Sequence, residues 1–265
     1  MSHNFVDAFT YLFKHKNWVA KVLVGSLLFF FIKLMELAIK VLNSEAIPKL
    51  DIELLSAGNP SQITMYALMV IGAIVLCLLS VWMSAILCGY FITTIRRYMR
   101  NQEDAIPDWD GIMTKLFFRG FKIFIWMFFI SVIGYLFNFV VSNYSLFLLT
   151  VSTLHASLIV AFCAIFVSFY ILLLMPALIM TFCEKDKFFC LFNLVRAKQL
   201  AIKSLGQYFL MILKLLFIII LSSIIAILLF HAKVGIIVLP IIFFYLLIVF
   251  GNVIAQYYVA YCKEE

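Results

Sequence analysis

The chain has 265 residues, 66% of them apolar and 12% charged, against roughly 25% charged in an ordinary soluble domain. That balance excludes a water-soluble fold: lipid is the main solvent, and the length leaves little mass outside about five to seven spans. The net charge of +7 does not point to nucleic acid, because the cations sit where membrane topology asks for them.

Charge is absent from 61 consecutive positions, Ile123 to Cys183, where His155 is the sole group able to titrate near neutrality. Other uncharged runs cover Leu54 to Ile95, Leu215 to Ala232 and Val234 to Cys262. Lys14 and Lys16 near the start, with no small-residue cleavage site after an apolar stretch, argue against a removable signal peptide. The six cysteines form no C-x-x-C pair and are expected as small apolar residues, not as disulfides or zinc ligands.

In chain order, a basic amphipathic stretch, Phe5 to Trp18, leads into span 1, Trp18 to Leu42. Lys33, Glu36 and Lys40 in its outer half lie at i, i+3 and i+7, on one face. Glu36 is expected to pair with a lysine while the lysine stems snorkel. This intramembrane polar cluster is also a candidate contact for a ligand or polar path. Span 2 is Ile63 to Ile95, 33 residues or about 50 Å of helix, long enough to tilt or to protrude into the cytoplasm.

A second basic stretch, Gly111 to Lys122, precedes span 3, Phe121 to Val141. A turn is expected near Ser142, Asn143, Tyr144 and Ser145, because the 61-residue run would measure about 90 Å as one helix and must fold back. Span 4, Ala156 to Phe182, should kink at Pro176. The third basic stretch is Phe188 to Gln207, with Leu191, Leu194, Val195, Ala201 and Ile202 on one face and Arg196, Lys198 and Lys203 elsewhere, the pattern of a helix at a membrane surface. Span 5 is Tyr208 to Phe230, and a short turn at His231, Ala232 and Lys233 leads to span 6, Ile236 to Tyr258.

Of the 20 Lys and Arg residues, all but Lys33, Lys40, Lys49 and Lys233 fall on one side of this arrangement. The positive-inside rule makes that side cytoplasmic. The expected fold class is therefore all-α: a polytopic protein of the cytoplasmic membrane, one domain over residues 1–265. It has six transmembrane helices as three hairpins, amphipathic helices at the inner interface, and both termini cytoplasmic.

The link between spans 2 and 3 reads Gly89, Tyr90, then Arg96, Arg97, then Ile106, Pro107, Asp108, Trp109, Asp110, then Phe117, Arg119, Gly120 and Lys122. Pro107 restrains the turn, Trp109 suits the headgroup layer, and Asp108 or Asp110 is expected to cap the next helix. Gly120 is read as the boundary between interfacial helix and span. With Leu12, Phe13, Lys14, Asn17, Trp18 and Lys21 upstream, this arrangement resembles the uncharacterised prokaryotic membrane family known as domain-of-unknown-function family 4013, best over residues 8–140. Pro176, Glu184 and the basic stretch to Gln207 resemble more loosely the six-span membrane domains associated with some glycerophosphodiesterases. The resemblance implies six helices and brings no activity with it.

No catalytic motif, metal-ligand set, P-loop or dinucleotide fingerprint is visible, so no cofactor and no enzymatic activity are expected. Asn138, Ser168, Asn252 and Gln256 are the residues a small-solute transporter or channel component, the alternative function, would use. Gly72, Ala73, Ser80, Ser84, Gly89 and Gly251 are expected at close helix contacts. The strongest candidate site is the basic rim of Arg96, Arg97, Arg100, Arg119 and Lys122, suited to anionic lipid headgroups at about 1 kcal/mol per cation. The expected partner is the bilayer itself.

Overall fold

The computed structural model describes residues 5–15, 17–42, 60–100, 106–109, 113–148, 173–231 and 234–263. A short α1 (Phe5–Thr10) runs into a 3-10 turn (Tyr11–Lys14). Asn17, at φ 59°, then breaks the chain before α2 (Trp18–Val41), in a left-handed conformation that asparagine tolerates better than most residues. There follow α3 (Pro60–Met99), α4 (Met113–Leu148) and α5 (173–185). A 3-10 turn (Phe188–Phe192) leads to α6 (Leu194–Lys203), α7 (Leu205–His231) and α8 (Gly235–Tyr257), which ends in a π turn (Tyr258–Cys262). All the elements among the described residues are helical.

Five of these helices, α2, α3, α4, α7 and α8, are long and apolar enough to cross a bilayer. Large apolar side chains stand exposed along them, among them Leu68, Ile71 and Leu78 on α3 and Ile220, Ile227 and Leu228 on α7. Water-facing surfaces do not carry apolar area on that scale. The protein is a membrane-embedded, multi-pass all-α chain. Of the fourth expected span, residues 156–172 lie outside the described set, and α5 contains the remainder, including Pro176.

Two expectations change. The helix carrying span 3 does not turn at Ser142 to Ser145 but continues to Leu148. Serine and asparagine cost a helix only a few tenths of a kcal/mol, too little to end one flanked by Val140, Val141 and Phe147. Nor is Gly111 to Lys122 a separate interfacial helix, since from Met113 onward it forms the first turns of α4. The first and third basic stretches are set off from their spans by breaks at Asn17 and Ser204, so the threefold pattern is not uniform.

Gly120 is accordingly a packing residue inside α4. A methyl group there would overlap the Ala85 carbonyl of α3, and one at Gly89 would overlap the Leu116 carbonyl. These reciprocal contacts bring α3 and α4 together antiparallel, backbone against backbone. Gly251 on α8 likewise faces Phe91 and Ile95, but Gly72 faces open space and makes no close contact.

Burial concentrates at one end of the bundle. Val22 and Ile32 of α2, Leu87 and Tyr90 of α3, Leu116 of α4 and Phe244 and Ile248 of α8 form one buried cluster. A larger one joins Ile92, Ile95, Trp126, Met180, Phe182, Leu215, Val249 and Ile254. Pro60 to Leu79 of α3 is mostly exposed, while Ala85 to Met99 is mostly buried. At about 60 Å for its 40 residues, α3 exceeds the hydrocarbon thickness of about 30 Å.

Candidate functional site

The buried end is also the charged end, and two clusters order it. In the first, Asp186 follows α5 in a left-handed conformation at φ 58°. That bend carries its carboxylate toward the facing turns of α3 and α4. Arg96 Nη1 donates to Asp186 Oδ2, Arg119 Nε donates to the same oxygen at 2.9 Å, and Lys122 Nζ lies 3.5 Å from Oδ1. Lys122 also donates to the Asp186 carbonyl at 3.0 Å, and Arg119 Nη1 to Thr93 Oγ1 at 3.1 Å. Burial pushes the Asp186 carboxyl upward, but the Arg119 hydrogen bond and the charges of Arg119, Arg96 and Lys122 outweigh it and hold the group below its ordinary value. Three cations thus share one carboxylate.

Beside this cluster, Glu184 accepts from Arg196 Nη2 at 3.1 Å and from the Tyr258 hydroxyl at 2.9 Å. The end of α5 is thereby tied to α6 and to the π turn after α8.

In the second cluster, the link between α3 and α4 is clasped onto α2. Lys21, buried on α2, donates to the Ile106 carbonyl at 2.9 Å and pairs with Asp108 at 3.0 Å. Trp109 Nε1 returns a hydrogen bond to the Lys21 carbonyl at 3.1 Å. Tyr90 donates to the Pro107 carbonyl at 2.9 Å, and its ring stacks on Trp109 with centroids 4.3 Å apart. Phe244 of α8 closes the aromatic group and occupies the space above Gly25, where a methyl group would collide with its ring.

The residues singled out from the sequence therefore divide. Arg96, Arg119 and Lys122 converge on Asp186, a counter-ion that the sequence reading did not identify. Arg97 and Arg100 belong to the same end of α3, and Arg100 is exposed. Pro107 and Trp109 form the clasp, and Asp108, expected as a helix cap, gives its carboxylate to Lys21. Asp110 lies outside the described residues.

Lys33 Nζ and Glu36 Oε2 make an exposed pair at 2.6 Å on α2, with Lys40 exposed one turn on. Gln256 is buried on α8. Asn252 is 1% exposed and neither of its amide atoms has a partner among the described residues. Ser168, His155 and the side chain of Asn138 lie outside those residues. One signal for Asp186 was in the sequence: Glu184-Lys185-Asp186-Lys187 sets two acids inside an otherwise basic stretch, at the end of a span.

A family described as "protein of unknown function (DUF4013)" matches residues 70–231, more than half of the chain. The chain belongs to this family. No curated protein and no solved structure matches it. The DUF4013 match takes in Gly89, Tyr90, the Arg96 to Lys122 rim, Asp186 and α6, and so contains the whole of the first cluster and part of the second. It begins after Lys21 and ends before Phe244, so those partners of the clasp fall outside the matched segment.

Proposed function

We propose that this DUF4013 protein is a non-enzymatic, six-span protein of the cytoplasmic membrane that binds anionic lipid through a basic inner face. Its six spans form three hairpins, with both termini in the cytoplasm. The supporting observation is the composition of the charged end. Arg96, Arg119 and Lys122 outnumber the one carboxylate among them, the exposed cations Arg100, Lys185 and Lys187 adjoin its members along the chain, and Lys198 stands exposed on α6. Large apolar side chains stand exposed between these cations: Phe189 at 82%, Val195 at 70% and Ile202 at 55%. An apolar surface studded with cations suits the boundary between acyl chains and headgroups. The short Phe188–Phe192 turn and α6 supply such a surface as segments distinct from the spans.

The test is lipid retention. Detergent-purified protein, examined by native mass spectrometry with added phosphatidylglycerol or phosphatidylcholine, should keep phosphatidylglycerol about tenfold more tightly, the yield of one to two cations at about 1 kcal/mol each. Equal retention of the two lipids contradicts the proposal.

A further inference from the structure

We infer that the anionic headgroup is held on the open face of α6, by Lys198 and Gln199 with Lys203, and not by the Arg96, Arg119 and Lys122 cluster. The inference rests on the anionic-lipid reading above and assigns it a place.

The cluster is already occupied from within. Its three cations converge on Asp186, whose amide nitrogen donates to the Phe182 carbonyl at 2.8 Å and whose carbonyl accepts from Lys122. A lipid phosphate would have to displace a carboxylate fixed by its own backbone. The Arg96 side chain, 16% exposed, offers little surface for the exchange.

The third basic segment differs on each of these points. Its helix is firmly held: Asn193 caps its start by accepting from the Arg196 amide at 3.0 Å, and Ala197, Leu200 and Ala201 pack against the bundle. Tyr257 donates to the Leu200 carbonyl at 2.9 Å and Lys203 Nζ to the Cys262 carbonyl at 3.2 Å. The opposite face is open. Val195, Lys198, Gln199 and Ile202 fall at i, i+3, i+4 and i+7, one stripe of the helix, and all four are exposed. A cleft of about 470 Å³ adjoins this stripe, bordered also by Arg196 and Lys203 and floored by Leu200 and Cys262.

Lys198 has no side-chain partner among the described residues, so its ammonium needs no rearrangement to meet a ligand. Arg196 pairs with Glu184 at 3.1 Å, while the Lys198 ammonium stands exposed beside it as positive charge for a phosphodiester.

The apolar surroundings identify an amphiphile. Val195 and Ile202 flank the cation and the amide along the stripe, and exposed Leu194 and Leu205 extend this surface toward Phe209 and Leu210 of α7, a helix long and apolar enough to span. An acyl chain lying against α7 would bring its headgroup to Lys198. An acidic peptide would gain nothing from that continuity.

The experiment uses the full chain reconstituted in phosphatidylcholine vesicles and measures, by electron paramagnetic resonance, its selectivity for spin-labelled phosphatidylglycerol over spin-labelled phosphatidylcholine. Lys198→Gln and Arg100→Gln are compared, because both side chains are exposed, are unpartnered among the described residues, and can be changed without breaking a contact. Lys198→Gln should lower the selectivity about fivefold and Arg100→Gln by less than about twofold. Equal losses, or a loss confined to Arg100→Gln, overturn the α6 site while leaving the lipid preference standing. No preference for phosphatidylglycerol in the unmodified protein removes the lipid reading itself. Displacement of the labelled lipid by millimolar inorganic phosphate would show a bare anion site and overturn the amphiphile assignment.

Discussion

Asp186 sits where three cations from two helices meet, and at the residue scale its removal is the most consequential single change. Asp186→Asn leaves Arg96, Arg119 and Lys122 facing one another without a counter-ion. The expected cost is about 2–3 kcal/mol, at the lower end for breaking a buried pair because the group is partly exposed, read as a lower melting temperature in detergent. The cluster also carries a pH signature. The Asp186 carboxyl is held below its ordinary value, so its contribution is fully present above the unfolded value of about 3.9. It is lost as pH falls through the lowered folded value. Stability should therefore drop in acid below about pH 4, and Asp186→Asn should flatten that part of the profile. The exposed Lys33 and Glu36 pair should behave differently: Glu36→Gln is expected to cost less than about 1 kcal/mol. The cations of the rim were legible in the sequence, since topology demands them at a span end. Their counter-ion was not, because Asp186 is 90 residues from Arg96 along the chain and nothing local reveals which cations it meets.

At the scale of elements, long uncharged runs pointed to the five long apolar helices among the described residues, because hydrocarbon thickness and charge cost leave little freedom, but not to their ends: the helix carrying span 3 runs from Met113 to Leu148. Breaks inside those runs were harder to see. Ser142 to Ser145 has turn-like composition yet stays helical, as the preference of those residues for turns is weak when apolar neighbours continue on both sides. Gly89 and Gly120 had a clear local chemistry but an unreadable partner, since the contact is with a backbone on another helix. That contact gives a contrasting pair of substitutions. Gly120→Ala forces a methyl group into the Ala85 carbonyl and should destabilise by about 3 kcal/mol or more, as overpacking at a rigid backbone does. Gly72→Ala meets nothing within 4 Å and should be neutral or stabilising by up to about 1 kcal/mol, because alanine is the better helix former. Thermal unfolding of the two variants side by side checks both. The clasp of Lys21, Tyr90, Pro107 and Trp109 reads in the same light: residues that looked like a turn and an interfacial anchor also fix the α3 to α4 link against α2.

For the whole molecule, the proposed topology predicts which charges face which compartment. Arg100→Cys and Lys198→Cys should react with a membrane-impermeant maleimide in inside-out vesicles, and Lys233→Cys in right-side-out vesicles or intact cells. Reaction of Arg100→Cys and Lys233→Cys from the same side would rule out the six-span arrangement. Both ion clusters and the exposed face of α6 belong to one end of the bundle, and this joins the topology to the lipid reading. The spans deliver a basic end to one leaflet, Asp186 and Glu184 neutralise part of it, and α6 keeps an exposed cation among apolar side chains. The most direct test of that account is the melting temperature of the detergent-purified protein titrated with phosphatidylglycerol and, separately, with phosphatidylcholine. A lipid that binds the folded state alone should stabilise it by about 2.7 kcal/mol at one hundred times its dissociation constant. The account predicts a saturable rise with phosphatidylglycerol that phosphatidylcholine does not reproduce, and identical responses to the two lipids would contradict it.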